Sequence, residues 1–155
     1  MKINLTVNGV KKNFEVQPQE YLVEVLRREG YLGVKKGCDT GSCGVCTVHM
    51  DGKAVLSCVV LANRADGHAI TTIEGVQSDA ERIGRYLVDE GVDQCGFCSP
   101  GTIMSILYLE QCVEDPTDDE ILHYLNGNLC RCSGYQGQLR AIRKYLEAKS
   151  NEDSQ

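Results

Sequence analysis

Residues 37–46 decide the fold, and they read Gly37-Cys38-Asp39-Thr40-Gly41-Ser42-Cys43-Gly44-Val45-Cys46. Three cysteines and three glycines share this stretch, and Cys58 follows with eleven residues between it and Cys46. Glycine tolerates positive φ and allows close approach of a backbone, so the stretch predicts a loop wrapped tightly around its own sulfurs. Four thiols gathered in this way indicate metal ligation rather than ordinary packing.

The spacing of these four cysteines identifies the expected metal group. C-x4-C-x2-C with a distant fourth cysteine is the spacing of plant-type [2Fe-2S] ferredoxins. Such a cluster with four thiolates is negatively charged, and Gly37, Gly41 and Gly44 would let backbone N–H groups point at its sulfurs. A structural zinc site usually takes its ligands from two tight pairs. The pattern therefore predicts a first [2Fe-2S] cluster held by Cys38, Cys43, Cys46 and Cys58.

A second group of four cysteines lies in two short segments. Cys95 and Cys98 form a C-x2-C pair, and Cys130 and Cys132 form a C-x-C pair. In an extended chain a C-x-C pair turns both thiolates to one side, so we expect it to ligate one iron and the C-x2-C pair the other. Taken alone, this group also fits a zinc module.

Composition limits the other possibilities. The chain has 155 residues, nine cysteines, 16 Lys plus Arg and 22 Asp plus Glu, with a net charge of -6. An excess of acid disfavours a nucleic-acid partner, and no window approaches the roughly 18 unbroken apolar residues of a membrane span. The N terminus has no export signal. We therefore expect a cytoplasmic protein, in which metal ligation explains nine cysteines better than disulfides do.

The first half of the chain predicts strands. Alternation from Lys2 to Val7, a turn at Asn8-Gly9 and a return over Lys12 to Val16 indicate a β-hairpin. A helix from Tyr21 to Glu29 ends at Gly30. Two more strands, Cys46 to Met50 and Ala54 to Val60, precede a short strand at Ile70 to Ile73.

The second half predicts four helices, which are Ala80 to Glu90, Pro100 to Cys112, Thr117 to Leu125 and Gln138 to Ala148. Ser99 before Pro100 reads as a helix cap, and Thr117 with Glu120 reads as a capping box. The two pairs of cysteines would then lie in interhelical loops that meet at one end of a four-helix bundle. We expect an α+β protein with a domain over 1–75, a second over 76–150 and a tail over 151–155.

Taken together, these motifs resemble the small [2Fe-2S] iron-sulfur subunit of the molybdenum hydroxylases, the xanthine dehydrogenase and aldehyde oxidoreductase family. The resemblance covers nearly the whole chain. Its motifs are Lys36-Gly37-Cys38 through Val48, Gln94-Cys95-Gly96-Phe97-Cys98 with Pro100-Gly101, and Gly127 through Cys132 with Gly134-Tyr135. It implies a β-grasp, ferredoxin-like domain followed by a four-helix domain that binds a second [2Fe-2S] cluster through Cys95, Cys98, Cys130 and Cys132.

The resemblance also implies partners and roles. Electrons would pass from the molybdopterin of a large catalytic subunit, through the two clusters, to FAD in a medium subunit. Gln94 would contact the pterin, and Cys132 would be the ligand nearest to it. The chain would be the non-catalytic subunit of a complex that oxidises a purine, another N-heterocycle or an aldehyde. A zinc-binding module and a free two-cluster ferredoxin remain as alternatives.

The remaining residues of interest have ordinary interpretations. Cys112 ends an apolar helix and is predicted to be a packing thiol rather than a ninth ligand. The three histidines show no spacing typical of a metal site. The basic residues of the last predicted helix, Arg140, Arg143 and Lys144, indicate a solvated face.

Metal analysis separates iron from zinc. We expect a brown protein with about four irons and matching acid-labile sulfide per chain, because each [2Fe-2S] cluster holds two irons. Iron, zinc and sulfide assays on the purified chain check this. A colourless protein that contains zinc would contradict it.

Overall fold

The structure, a computed structural model, describes residues 1–153 and has a mixed sheet followed by helices. Its strands and helices are β1 Lys2–Val7, β2 Val10–Glu15, α1 Leu22–Arg28, β3 Thr47–Met50, β4 Lys53–Leu56, β5 Ala69–Thr71, α2 Gln77–Asp89, α3 Ser99–Cys112, α4 Asp118–Leu125 and α5 Gln136–Asp153. Short 3₁₀ helices cover Ala62–Ala65 and Ile73–Gly75. The predicted α+β class is confirmed. None of the described helices is both long and apolar enough to cross a membrane.

The sheet has the strand order β2-β1-β5-β3-β4. Asn8 and Gly9 turn the first hairpin with φ of 50° and 81°, as a two-residue hairpin turn requires. β1 pairs antiparallel with β2 and parallel with β5, and β3 pairs antiparallel with β4 and β5. The alternating residues of β1 and the apolar side of α1 share one core, formed by Ile3, Leu5, Val7, Leu22, Val25, Leu26 and their neighbours. This is the β-grasp arrangement expected of the first half.

The strand after β3 is shorter than its sequence predicts. Ala54 to Val60 was expected, but β4 ends at Leu56. The Ser57 hydroxyl donates to the Cys46 carbonyl at 2.7 Å, and the Val59 N–H donates to the Leu56 carbonyl at 3.1 Å. These bonds turn the chain out of the sheet, and they bring Cys58 back toward Cys46.

The four helices α2 to α5 form the second core. Its buried members include Ile83, Leu87, Met104, Ile106, Leu109, Ile121, Ile142 and Tyr145. α3 is buried on nearly every side because it packs on the sheet as well as on helices. His49 of β3 donates from Nε2 to the Met104 carbonyl of α3 at 2.8 Å. The sheet and the bundle are thus joined by a buried hydrogen bond.

Helix ends match the sequence in one case and differ in another. Thr117 caps α4, and the Glu120 carboxylate accepts from the Thr117 N–H, as the capping box predicts. Ser99 was expected to cap α3, but Cys98 holds that position and Ser99 is the first helical residue. The Ser99 hydroxyl is instead directed to Asp93, at 2.9 Å. The cap prediction was wrong because the Ser99 hydroxyl bonds to Asp93 in the preceding loop and not to the helix backbone.

α5 runs beyond the end predicted at Ala148, into the stretch expected as a tail. Residues 154 and 155 of that stretch lie outside the described part of the chain. The division into domains over 1–75 and 76–150 stays a prediction.

The segment between sheet and bundle is bonded to the first half. The Asn8 carboxamide accepts from the Thr72 N–H at 2.9 Å and donates to the Thr72 hydroxyl at 3.0 Å. The Glu74 carboxylate accepts from the Gly33 N–H at 2.7 Å and from the Thr72 hydroxyl at 2.6 Å. These bonds fix the direction in which α2 leaves the sheet.

Substituting two glycines tests how closely α3 approaches loop 37–46. A Cβ on Gly101 would lie 2.4 Å from the Gly44 carbonyl oxygen, whereas a Cβ on Gly84 of α2 would meet nothing within 4 Å. We expect Gly101→Ala to destabilise the protein by about 1–3 kcal/mol through overpacking. Gly84→Ala should stabilise it by about 0.5–1 kcal/mol, because alanine favours the helix. Thermal unfolding of both variants measures the difference, and equal midpoints would contradict the close packing.

Candidate metal centres

Loop 37–46 and Cys58 bring the first four predicted ligands together. Cys43 and Cys46 are buried, and Cys38 and Cys58 are half-buried. The thiols of Cys38 and Cys43 lie close enough to affect each other's ionisation, and so do those of Cys46 and Cys58. The four thiols therefore form two neighbouring pairs.

Backbone N–H groups surround the first pair. The N–H groups of Cys43, Ser42 and Thr40 hydrogen-bond to the Cys38 sulfur and lower its pKa to about 5. Burial raises the pKa of Cys43, although the N–H groups of Val45 and Gly37 oppose that rise. Hydrogen bonds of this kind stabilise anionic sulfur. The wrapping predicted from the glycines is present.

The Cys58 thiol of the second pair resists ionisation. Burial raises the pKa of Cys58 to about 12, and the neighbouring Cys46 thiol makes a smaller contribution to the rise. A thiolate there would be poorly solvated and would face three other sulfurs. A cationic metal core between the four sulfurs would remove that penalty, because metal binding displaces the thiol proton. The donor set thus fits an iron-sulfur core.

The glycines of loop 37–46 are needed for two reasons, which are positive φ and close packing. Gly41 and Gly44 have φ of 69° and 73°, the left-handed region that favours glycine. Gly37 does not adopt positive φ, but a Cβ there would lie 3.3 Å from the Cys43 sulfur. Gly44 is also sterically constrained, because its Cβ would lie 1.9 Å from the Gly127 carbonyl oxygen.

The second group lies in the loops α2–α3 and α4–α5, which meet as expected. The Cys95 and Cys132 sulfurs are 3.6 Å apart, and the Cys98 thiol lies close enough to Cys130 for the two to affect each other's ionisation. The closest thiols therefore come from different loops. The expectation that each loop ligates one iron stays a prediction, although the short distance between Cys95 and Cys132 favours ligands from different loops on one iron.

The electrostatics of the second group resemble those of the first. Burial, with the nearby Cys130, raises the pKa of Cys98 to about 12. Burial also opposes ionisation of Cys130, but hydrogen bonds from Ser133 and from the Cys132 N–H outweigh it and lower the pKa of Cys130. A hydrogen bond with the Cys95 thiol raises the pKa of Cys132.

Across the described residues, no three Cys, His, Asp or Glu side chains converge closely enough to hold a single metal ion.

Tyr135 belongs to this loop in a way that sequence analysis missed. It has φ of 68°, a conformation that costs a bulky residue about 1–2 kcal/mol. Its hydroxyl accepts a hydrogen bond from the Cys130 N–H at 2.9 Å. The resemblance included Gly134-Tyr135, but spacing alone does not reveal a side chain that folds back over its own loop.

Gln94 and its loop are anchored beside Cys132. The exposed Gln94 side chain donates to the Cys132 carbonyl at 3.4 Å. At the start of the same loop, the largely buried Glu90 pairs with Arg140 at 2.9 Å and with Lys144. These basic residues were predicted to form a solvated face. Arg140 and Lys144 are indeed exposed, and from this face they also pair with Glu90 at the start of the loop.

The two cysteine groups touch through their backbones. The Leu129 N–H donates to the Cys43 carbonyl at 2.8 Å, and the Asn128 carboxamide donates to the Gly44 carbonyl at 3.3 Å. Leu129 directly precedes Cys130. One hydrogen bond and a few covalent bonds thus separate a cysteine of the first group from one of the second.

Cys112 is separate from both groups. It was predicted to be a packing thiol, but it is exposed at the end of α3, so that prediction was wrong. The hydroxyls of Tyr108 and Tyr124 hydrogen-bond to it. Cys112 is the last residue of α3 and is not part of the buried core between the helices.

Comparisons with known proteins agree with this geometry. Residues 5–71 match the model of a 2Fe-2S iron-sulfur cluster binding domain, and residues 72–143 match that of a [2Fe-2S] binding domain. The chain is 40% identical over 152 residues to the nicotinate dehydrogenase small FeS subunit of Eubacterium barkeri, covering 96% of this chain and 97% of that one. It is 44% identical over 138 residues to the xanthine dehydrogenase iron-sulfur-binding subunit of Escherichia coli O157:H7, covering 86% and 87%.

Solved structures agree as well. Quinoline 2-oxidoreductase from Pseudomonas putida 86 superposes with a TM-score of 0.87 at 35% identity, covering 97% of this chain and 96% of that chain. Aldehyde oxidoreductase from Desulfovibrio gigas superposes with a TM-score of 0.89 at 38% identity. There the match covers 98% of this chain but only 17% of the longer one.

The pairing of thiols across the loops can be tested by oxidation. In a metal-free Cys112→Ser chain treated with the thiol oxidant diamide, we expect the first disulfide in the second group to join Cys95 and Cys132. Their sulfurs need to close from 3.6 Å to about 2.05 Å. Peptide mapping identifies the bond. A predominant Cys95–Cys98 or Cys130–Cys132 bond would contradict the arrangement.

Proposed function

The chain belongs to the family of small [2Fe-2S] iron-sulfur subunits of molybdenum hydroxylases, and we propose that it carries electrons from a molybdopterin site to FAD, both held by partner chains. Two [2Fe-2S] clusters, when bound, supply the one-electron redox chemistry of this transfer. Cys38, Cys43, Cys46 and Cys58 would hold the first. Cys95, Cys98, Cys130 and Cys132 would hold the second.

The contact between the two cysteine groups carries this proposal. The 2.8 Å hydrogen bond from the Leu129 N–H to the Cys43 carbonyl joins the groups directly. Because Leu129 is bonded to Cys130, the bridge links ligands of the two sites without solvent between them. Gly44 and Gly101 keep the backbones this close. Structural zinc is not redox-active, so the sites of a zinc module would not need such contact.

The second site faces the molybdopterin chain in this proposal. Cys95 and Cys132 are exposed, and Gln94 lies beside Cys132 with one carboxamide hydrogen bond inside the chain. Its remaining polar groups are available to the pterin. Phe97 and Leu129 near this site are 47% and 59% exposed, and apolar side chains of this size are typical of protein interfaces.

The first site faces the flavin chain. Cys38 and Cys58 are half-buried at the rim of the loop. Val59 is 59% exposed and lies so close to Gly41 that a Cβ there would meet it at 2.9 Å. Loop 37–46 thus offers a short route from its sulfurs to a chain packed on its outer side.

The catalytic reaction takes place in the large partner chain. Relatives of similar identity are named for nicotinate, xanthine, quinoline and aldehyde, although their iron-sulfur regions share one fold. Substrate choice therefore belongs to the large chain, which oxidises an N-heterocycle or an aldehyde. The complex works in the cytoplasm, where thiols stay reduced and available to iron.

Paired cysteine substitutions test the assignment. In the complex purified with its partner chains, Cys43→Ser should remove or alter only the first paramagnetic signal, and Cys130→Ser only the second. Either change should lower substrate-dependent flavin reduction by at least about tenfold, because each site lies on the only route. Electron paramagnetic resonance and stopped-flow absorbance measure these effects.

Cys112→Ser is the matched control and should keep both signals and the rate. Loss of both signals from a single ligand substitution in a folded chain would contradict the assignment to two separate clusters. An isolated monomer from native cells would favour a free ferredoxin.

A further inference from the structure

The turn after Cys132 has an unusual backbone. Gly134 and Tyr135 both adopt the left-handed conformation, with φ of 67° and 68°. Glycine does this freely, but a large aromatic residue does so only where its surroundings compensate for the strain. Tyrosine at this position therefore points to an interaction of its side chain.

That interaction closes a ring of hydrogen bonds around Cys130. The Cys130 N–H donates to the Tyr135 hydroxyl at 2.9 Å, and the Tyr135 N–H donates to the Ser133 hydroxyl at 3.1 Å. The Ser133 N–H donates to the Cys130 sulfur at 3.4 Å. Each residue thus fixes the next, and the ring begins and ends at the same cysteine.

The ring determines which donors reach the sulfur of Cys130. Its own N–H is occupied by the Tyr135 hydroxyl, so the sulfur receives hydrogen bonds from Ser133 and from the Cys132 N–H. Cys130 is buried, at 8% exposure. Without the hydroxyl, its N–H would lack this partner, and a buried unpaired N–H forces the backbone to reorient.

We propose that Tyr135 is a positioning residue of the second iron-sulfur site, whose hydroxyl fixes the orientation of the Cys130 sulfur. This inference rests on the proposed function, because it requires a cluster at Cys95, Cys98, Cys130 and Cys132. Hydrogen bonding to ligand sulfurs sets the properties of such clusters. Tyr135 therefore acts on the cluster through Cys130.

Removal of one oxygen atom tests this role. In the complete complex, Tyr135→Phe keeps the ring but loses the acceptor for the Cys130 N–H. We expect the second paramagnetic signal to change its g-values and the second cluster to be lost to a chelator about threefold to tenfold faster, as one hydrogen bond allows. The first signal should keep both its g-values and its stability.

Two further variants separate the hydroxyl from the backbone. Tyr135→Gly accepts φ of 68° without strain but has no hydroxyl, so it should weaken the second site at least as much as Tyr135→Phe. Tyr124→Phe removes a hydroxyl near Cys112 and should leave both signals as in the wild type.

Three results would overturn the inference. The first is a wild-type spectrum and loss rate for Tyr135→Phe, even if Tyr135→Gly is affected, because the hydroxyl would then have no role. The second is an equal change of both signals, which indicates general loosening. The third is a wild-type complex without a second signal, which would also refute the proposed function and so identifies that failure by itself.

Discussion

Close approach of two backbones is the constraint on which the rest of the molecule depends. Loop 37–46 lies against residues 127–130 so tightly that a Cβ on Gly44 would sit 1.9 Å from the Gly127 carbonyl oxygen. The hydrogen bond from Leu129 to Cys43 forms only at this separation. The burial of α3 against the sheet and the bond between His49 and Met104 hold the two halves in the same relation. Both cysteine groups are therefore positioned by one interface.

Negative charge is the second constraint. Four thiolates close together repel one another, and burial adds the loss of solvation. Hydrogen bonds from backbone N–H groups lower the pKa of Cys38, and hydrogen bonds from Ser133 help to lower that of Cys130. Cys58 and Cys98 have a strongly raised pKa. Cys58 and Cys98 would therefore ionise more readily beside a cationic core than without one.

Local signals in the sequence predicted most of the fold. The Asn8-Gly9 hairpin, the end of α1 before Gly30 and the capping box at Thr117 each depend on a few neighbouring residues, and the structure has all three. Features that depend on distant contacts were missed or misjudged. Cys112 is exposed at the end of α3 although packing was predicted, and the pairing of the exposed Arg140 and Lys144 with Glu90 was not foreseen.

The candidate sites follow the same division. Spacing predicted which cysteines gather, and glycines predicted a tight loop around the first group. The spacing of the cysteines did not predict the short distance between Cys95 and Cys132, because that distance depends on how the two loops meet in space. The fold of Tyr135 over Cys130 was hidden for the same reason. Assignment of all eight cysteines as ligands stays a prediction.

The pairing of Cys95 with Cys132 bears on the order of maturation. Three sulfurs of the first site belong to one loop and are close together in the sequence. At the second site the nearest partners are 37 positions apart, and α3 and α4 lie between them. A metal centre there can be completed only after both helices have packed. Occupancy of the second site would then report that the bundle has folded.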